Sequence, residues 1–206
     1  MFRFGITSRI TESSDYFEIR NSLSQDWANY FYENFPDDIW VTIPNQGSKS
    51  IEYFKSLKLN VLILSGGDNL GDTLKRDETE ASLLRYSLLN SIPVIGVCRG
   101  MQLIHSYFGG SIEFGNSSFS KIHKSKDHII NYKEKEQIVV NSYHTNKIVE
   151  STLSKQFSVL ARCTEDNSIE SFYNKKILSI MWHPERKMKS LNWSTNLLKK
   201  FLNNKL

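Results

Sequence analysis

The first half of the chain alternates short, continuous apolar runs with longer segments whose apolar residues recur at helical spacing. Such runs are typical of strands buried on both faces of a parallel sheet, and the periodic segments are typical of amphipathic helices. The predicted strands are residues 2–7, 39–44, 61–67 and 93–97. The predicted helices are residues 14–35, 50–59 and 76–91, with a fourth directly after residue 98. This alternation predicts an open α/β sheet built from parallel βαβ units.

The second half of the chain has a different pattern. Four strand-like segments follow one another closely, which favours antiparallel pairs. They are residues 128–133, 137–143, 157–163 and 168–174. A last buried strand is predicted at 176–185, and an amphipathic helix closes the chain at 190–204. We therefore expect one domain over residues 1–206, an α/β fold with an open, mainly parallel sheet flanked by helices and a small antiparallel region.

The amino-acid composition and charge indicate which classes of protein and partner are favoured. Of the 206 residues, 39% are hydrophobic and 23% are charged, as in soluble globular proteins. The formal charge of +4 is spread along the chain, which disfavours nucleic acid as a partner and suits an anionic small substrate. Two cysteines cannot form a disulfide framework, the N-terminus lacks the apolar core of a signal peptide, and the apolar runs are too short to span a membrane. We expect a cytoplasmic protein with no membrane partner, and the oligomeric state stays open.

One of the two cysteines stands at a sharp turn. The segment "GVCRG" places Cys98 between an apolar strand and a helical pattern, with Gly96 and Gly100 on either side. This is the pattern of a nucleophile elbow, in which small flanking residues permit a turn that lifts one side chain above the sheet. The helix N-terminus would stabilise a thiolate, and the N–H of Arg99 would face an oxyanion. A buried structural cysteine is the alternative.

A thiol nucleophile needs a histidine base that a third group orients. His183 ends the last apolar strand, and the "HPE" segment follows with Pro184 and Glu185. The proline fixes the backbone at the strand exit, so Glu185 can accept a hydrogen bond from the imidazole. Cys98, His183 and Glu185 are therefore the predicted catalytic residues. The alternative is a strand-end histidine beside a surface glutamate.

The other four histidines have weaker claims to catalysis. His105 lies on the elbow helix and is expected to point away from the nucleophile. His123 and His128 lie in a lysine-rich stretch and are expected on the solvated surface, as is residue range 113–135 generally. His144 follows a strand end, where a binding role fits. The chain has no C-x-x-C or H-x-x-x-H spacing, so no metal site is predicted.

Six short motifs are spread in order along nearly the whole chain. They are "FGITSR", "ILSGGDNL", "GVCRGMQ", "VNSYH", "SIESF" and "MWHPE". Together they resemble the class I glutamine amidotransferase superfamily, and within it the γ-glutamyl hydrolase branch. The resemblance implies the flavodoxin-like α/β fold of that superfamily and its cysteine-dependent chemistry.

The resemblance also implies a role for each matching residue. Cys98 would be the nucleophile, His183 the acid and base, and Glu185 the group that orients the imidazole. The N–H groups of Gly67 and Arg99 would form the oxyanion hole. The implied substrate-binding residues are Gln102, which would face the γ-glutamyl group, and Ser142, Tyr143 and His144, which would hold its α-carboxylate or α-amino end.

The implied activity is hydrolysis of a γ-glutamyl amide to glutamate and a free amine, with no cofactor. Residues 15–31 and 96–112 resemble enzymes that release cytidine diphosphoramidate from γ-glutamyl-CDP-amidate for capsule phosphoramidate, so the expected small-molecule substrate is nucleotide-linked. Two features differ from the γ-glutamyl hydrolase branch: the loop after the glycine pair is short, and Thr145 stands where a second histidine is common. These differences leave the identity of the released amine undecided. The alternatives are a γ-glutamyl-γ-aminobutyrate hydrolase, a glutaminase subunit that feeds ammonia to a partner synthetase, and a non-catalytic binding or redox-sensing protein.

Overall fold

The computed structural model describes all 206 residues. The strands are β1 (Arg3–Thr7), β2 (Arg9–Glu12), β3 (Ile19–Ser22), β4 (Ile39–Ile43), β5 (Val61–Leu64), β6 (Val94–Val97), β7 (Ile112–Phe114), β8 (Lys124–Tyr132), β9 (Glu136–Tyr143), β10 (Asn146–Ile148), β11 (Ser158–Cys163), β12 (Ile169–Tyr173) and β13 (Ile177–Ile180). The helices are α1 (Gln25–Asn34), α2 (Ser50–Ser56), α3 (Leu74–Leu89), α4 (Arg99–Tyr107), α5 (Ser117–His123) and α6 (Leu191–Leu202). None of these helices has the length and apolar character needed to cross a membrane.

Nine strands form one sheet in the order β4-β1-β5-β6-β13-β12-β11-β8-β9. The strands from β4 to β13 pair in parallel, and those from β12 onward pair antiparallel to their neighbours. The predicted α/β fold is therefore confirmed, and the antiparallel strands of the second half extend the main sheet. Two small antiparallel sheets, β2–β3 and β7–β10, complete the strand pairing.

The centre of the sheet is the most deeply buried part of the fold. Every residue of β5, β6 and β13 is buried, which is why these strands appear in the sequence as continuous apolar runs. The register pairs Leu64 with Gly96 and Val97 with Ile180, so the three strands end side by side. The loops at these carboxyl ends meet at one edge of the sheet, where ligands bind in open α/β folds.

The predicted helix over residues 14–35 is only partly correct. The helix begins at Gln25, where Ser24 accepts a hydrogen bond from the N–H of Asp26. The preceding residues form the β2–β3 hairpin, which pairs Arg9 with Ser22. Phe17, whose spacing places it on the predicted helix face, is 81% exposed near the tip of this hairpin. The helical spacing before residue 24 is coincidental, because a serine cap and strand pairing set the true boundary.

Candidate active site

Cys98 occupies the turn between β6 and α4 with its backbone in the left-handed region, at φ 51°. A β-carbon on Gly100 would lie 2.1 Å from the carbonyl oxygen of Leu64, and one on Gly96 would lie 2.5 Å from a methyl carbon of Ile104. Both positions therefore require glycine because the chain passes too close for a side chain. The turn holds the thiol at the first turn of α4, where unpaired N–H groups favour negative charge.

His183 and Glu185 lie on the loop after β13, and both side chains are almost fully buried. His183 Nδ1 donates to Glu185 Oε1 over 2.7 Å, which leaves Nε2 free on the other side of the ring, and the imidazole is close enough to the Cys98 thiol for each group to shift the pKa of the other. Asn141 on β9 holds the His183 backbone at both ends. Its Oδ1 accepts from the His183 N–H at 2.8 Å, and its amide donates to the His183 carbonyl at 2.8 Å. The structure thus brings the three predicted catalytic side chains together and fixes the imidazole between them.

Each of the two reacting side chains favours the charged form of the other. Burial acts to raise the pKa of the Cys98 thiol, but the charge and hydrogen bond of His183 outweigh it and lower that pKa below its ordinary value. Burial acts to lower the pKa of His183, but Glu185 and Cys98 outweigh it and raise that pKa to about 9. The paired charges therefore make a thiolate beside an imidazolium more favourable than it is for either group alone.

A buried charge network supports the elbow from behind. Glu80 on α3 pairs with Arg76 one turn earlier, at 3.0 Å, and with Arg99, which follows the nucleophile. The side chains of all three residues are at most 1% exposed. Arg99 also pairs with Asp77. The side chain of Arg99 is therefore tied to α3, which fixes the residue whose N–H is the predicted oxyanion donor.

The same network orients the glycine loop after β5. Arg76 donates to the carbonyl oxygens of Ser65 and Gly66, at 3.0 and 2.9 Å. The carbonyl of Gly66 and the N–H of Gly67 belong to one planar peptide group and point in opposite directions. The contact therefore fixes the direction of the Gly67 N–H, which makes no hydrogen bond within the chain. Gly67 itself has φ 125°, a backbone conformation that favours glycine.

Two of the four predicted substrate-binding residues have side chains that reach the site. Gln102 is buried on α4, and its Oε1 lies 3.5 Å from the amide nitrogen of Asn146. The Oδ1 atom of Asn146 is buried without a hydrogen bond. Tyr143 is 41% exposed, and the edge of its ring meets the His183 imidazole with centroids 5.6 Å apart. The Tyr143 ring therefore packs against His183, while Gln102, one turn after Cys98 on α4, forms a buried amide pair with Asn146.

The side chains of Ser142 and His144 are engaged within the protein. The Ser142 hydroxyl donates to the carbonyl of His123 over 2.6 Å. His144 Nδ1 donates to the carbonyl of Asn146 over 2.9 Å, and its Nε2 faces Glu170 at 3.4 Å. In this geometry neither side chain offers a free donor to a ligand, and the binding role that the resemblance implies for these two residues stays a prediction.

A cleft of about 350 Å³ opens beside His183. The β2–β3 hairpin forms one wall, and the loop after β13 contributes the other. Arg9 and Arg186 both line it, together with four serine and threonine residues, Thr11, Ser22, Ser24 and Ser65. Two guanidinium groups in a half-open cleft favour an anionic ligand.

The expectation that His123 and His128 lie on the solvated surface is wrong. Both imidazoles are at most 3% exposed, and both face Glu170 on β12. His128 lies on the same face of β8 as the buried Ile130, whereas the alternate residues Asp127 and Ile129 are exposed. Much of residue range 113–135 is exposed as predicted, but the lysine-rich composition hid these inward positions. His105 is also buried, and its Nε2 contacts the Ser111 carbonyl rather than the thiol.

Several residues of the site carry no clear signal in the sequence. Arg76 and Glu80 stand four residues apart on α3, but nothing in that spacing shows that both charges are buried. Asn141 belongs to the "VNSYH" motif, yet its contact with the His183 backbone depends on the position of β9. The signal for Asn146 is weaker still, because it lies just outside that motif.

Comparisons with known proteins agree on one protein family. The family model of glutamine amidotransferase class-I matches residues 20–204. The chain is 33% identical over 194 residues to the gamma-glutamyl-CDP-amidate hydrolase of Campylobacter jejuni, covering 88% of this chain and 89% of that protein. It is 28% identical to the GMP synthase of Ehrlichia chaffeensis over 76% of this chain but only 29% of that enzyme.

Solved structures agree on the fold. A Thermoplasma acidophilum protein provisionally described as a GMP synthase component has a TM-score of 0.68 and 19% identity, covering 98% of this chain and 93% of that one. A glutamine amidotransferase of Thermotoga maritima has a TM-score of 0.64 and 14% identity, covering 99% and 85%. At these identities the likeness concerns the fold alone. With the family match over residues 20–204, it follows that the chain belongs to the class I glutamine amidotransferase family.

Proposed function

We propose that the protein hydrolyses a γ-glutamyl amide, with Cys98 as nucleophile, His183 as acid and base, and Glu185 as the residue that orients His183. One observation carries this proposal. The Cys98 thiol stands on a strained elbow beside His183, whose imidazole lowers the pKa of the thiol and whose Nδ1 is held by Glu185 at 2.7 Å. That arrangement is the one a cysteine nucleophile needs to attack an amide carbonyl.

The proposed reaction has two steps. The Cys98 thiolate attacks the γ-carbonyl carbon, and the N–H groups of Gly67 and Arg99 stabilise the tetrahedral oxyanion. His183 then gives its proton to the leaving nitrogen, the C–N bond breaks, and a glutamyl thioester remains. A water molecule that loses its proton to His183 attacks the thioester and releases glutamate and the thiol.

The glutamyl head needs polar partners because it carries both an amino and a carboxylate group. Gln102, one turn after Cys98 on α4, and Asn146 offer a pair of amide groups for this role, and the buried Oδ1 of Asn146 has no partner within the protein. Tyr143 adds an exposed hydroxyl on the same side. Ser142 and His144 would then act by shaping this wall.

The cleft beside His183 is where the proposal places the leaving group. Arg9 and Arg186 there suit a pyrophosphate, and the Campylobacter jejuni relative is a gamma-glutamyl-CDP-amidate hydrolase. We therefore propose γ-glutamyl-CDP-amidate as the substrate, with cytidine diphosphoramidate as the released amine, which would place the protein in capsule phosphoramidate biosynthesis.

A substrate panel tests the proposal. The purified protein is incubated with γ-glutamyl-CDP-amidate, γ-glutamyl-γ-aminobutyrate and glutamine, and released glutamate is measured for each. We expect the highest kcat/KM with the nucleotide conjugate. A preference for γ-glutamyl-γ-aminobutyrate would contradict the nucleotide assignment and keep the hydrolase, whereas no glutamate from any of them would contradict both.

Loss of one arginine of the cleft is expected to discriminate between these substrates. Arg9→Gln should raise KM for γ-glutamyl-CDP-amidate about tenfold or more, since a charge-assisted hydrogen bond contributes roughly 1.5–3 kcal/mol. The KM for glutamine should change little because its leaving group is neutral. Arg20→Gln, on the other strand of the hairpin and half exposed, is the matched control. Equal effects of Arg9→Gln on both substrates would contradict a role for this arginine in leaving-group binding.

The pH dependence should report the contact between His183 and Glu185. Glu185 raises the pKa of His183 to about 9, so activity should fall above that pH as the imidazole loses the proton that the leaving nitrogen needs. In Glu185→Gln that support is removed, so the alkaline limb of kcat/KM should move to lower pH. Glu113→Gln, a half-exposed glutamate on β7, should leave the limb unchanged. An unmoved limb in Glu185→Gln would argue against this assignment.

The similarity to GMP synthase favours a second candidate, a glutaminase subunit that serves a synthetase partner. The match covers only 29% of the Ehrlichia chaffeensis enzyme, so this chain corresponds to a part of that enzyme's length. Glutamine hydrolysis that stays near zero for the purified chain and rises at least tenfold with a co-purified synthetase would favour this candidate over the amide hydrolase.

A further inference from the structure

Three buried side chains behind the pocket turn unpaired polar atoms towards one another. They are His123 at the end of α5, His144 after β9 and Glu170 on β12, each at most 4% exposed. His123 Nδ1, His144 Nε2 and both carboxylate oxygens of Glu170 make no hydrogen bond. Buried polar atoms in a folded protein almost always have partners, so this cluster needs an explanation.

His128 Nε2 also lies 3.4 Å from Glu170 Oε2, but neither nitrogen of His128 has a hydrogen bond, so no second contact orients its ring. In His123 and His144 the second nitrogen is held in the way that orients a metal ligand. His123 Nε2 hydrogen-bonds Asp166 Oδ2 at 3.0 Å, and His144 Nδ1 donates to the Asn146 carbonyl at 2.9 Å. Metal-binding histidines typically donate their second N–H to a carboxylate or a backbone carbonyl, which fixes the tautomer and aims the free nitrogen. Both contacts therefore aim a lone pair at Glu170.

The distances fit a metal ion better than direct hydrogen bonds. Glu170 Oε1 lies 3.5 Å from His123 Nδ1 and 3.4 Å from His144 Nε2. Ligand atoms about 2.0–2.2 Å from a tetrahedral zinc ion are roughly 3.3–3.5 Å apart, whereas a charge-assisted hydrogen bond is about 2.7–2.9 Å long. All three donor atoms lie within 4.8 Å of one another.

The surroundings also suit a dry, closed site. The ring of Phe119 stacks on His123 with centroids 4.0 Å apart and meets His144 edge-on at 5.6 Å. An apolar shell of this kind limits water around a metal and favours strong contacts between ion and ligand. Two imidazoles and one carboxylate are a ligand set that zinc uses.

We propose that His123, His144 and Glu170 bind a zinc ion. The ion joins α5 to the end of β9 and to β12, and it holds His144 in the wall behind Gln102 and Asn146. The three ligands are far apart in the sequence, which is why no short metal-binding spacing marks them.

Metal content and stability of the full-length protein test the proposal first. The protein is stripped with a chelator, given one equivalent of Zn²⁺, desalted, and analysed by inductively coupled plasma mass spectrometry. We expect one zinc per chain and a melting temperature that rises on zinc addition, because binding to the folded state alone stabilises it. Co²⁺ in place of zinc should give visible d–d absorption typical of imidazole and carboxylate ligands.

Variants locate the ion. Glu170→Gln and His123→Gln should weaken zinc binding by at least about 100-fold, since loss of even an outer partner typically costs roughly 10–100-fold. Asp166→Asn keeps all three ligands and disturbs only the orientation of His123, so it should weaken binding by roughly 10–100-fold without unfolding risk at the core. His105→Gln, a buried histidine outside the cluster, should retain zinc.

Two further controls separate this site from its neighbours. Cys98→Ala should retain zinc, because an ion held by the catalytic thiol and His183 would be lost in that variant. Cys163→Ser should also retain it, because the Cys163 thiol lies within reach of His123 and His128 in an alternative group. No zinc at one equivalent, or zinc lost in Cys98→Ala or Cys163→Ser and kept in Glu170→Gln, would overturn the proposal. Neither outcome depends on whether the protein hydrolyses a γ-glutamyl amide.

Discussion

Cys98→Ala is expected to reduce glutamate release by at least about 10³-fold, because no other group at the elbow can form the glutamyl thioester. The fold should survive, since alanine fits the space of the thiol and the contacts of the neighbouring glycines are unchanged. Circular dichroism and thermal unfolding check the fold, and a coupled glutamate assay checks the rate. The other free cysteine provides the control, as Cys163→Ser should keep activity within about twofold.

Backbone strain at the elbow allows a second variant to separate the catalytic role of Cys98 from its effect on stability. Cys98 has φ 51°, a conformation that costs a residue with a β-carbon of order 1–3 kcal/mol. Cys98→Gly should therefore be as inactive as Cys98→Ala and yet unfold at a higher temperature. Activity retained in either variant would contradict the role of Cys98, whereas equal melting temperatures would contradict only the strain.

The contrast between Cys98 and Glu80 shows what the sequence could and could not predict. The elbow was predictable because a sharp turn requires glycine at fixed positions. Steric limits between neighbouring residues therefore show directly in the sequence. The position of His183 was predictable because strand β13 and Pro184 fix where it leaves the sheet. The roles of Glu80 and Arg76 were not, since spacing along a helix does not show which charges the fold buries.

The same limit explains the two incorrect predictions. Residues 14–24 carry apolar side chains at helical spacing, but pairing between β2 and β3 decides their structure. The burial of His123 and His128 depends on how α5 and β8 pack against β12, a contact between segments far apart in the chain. Local patterns therefore identified the elbow and missed the burial of these histidines.

Removal of Glu80 should have the largest effect on stability. Glu80→Ala leaves Arg76 and Arg99 as buried cations with only the partly exposed Asp68 and Asp77 nearby. Breaking a buried ion pair by removing one partner costs about 3–5 kcal/mol. At about 2–4 °C per kcal/mol for a chain of this size, the melting temperature should fall by roughly 6–20 °C.

The Glu80→Ala protein that remains folded should also hydrolyse its substrate more slowly. Arg76 aims the glycine loop by holding the Gly66 carbonyl, and Glu80 fixes Arg76, so loss of Glu80 should lower kcat more than it raises KM. Glu78→Ala, on the same helix and half exposed in a pair with Lys75, is the matched control and should change stability by no more than about 0.5 kcal/mol. Glu80→Gln keeps the shape and loses only the charge, so it should lie between the two. A loss below about 1 kcal/mol in Glu80→Ala would show that the two arginines find other partners, and the oxyanion loop would then need a different support.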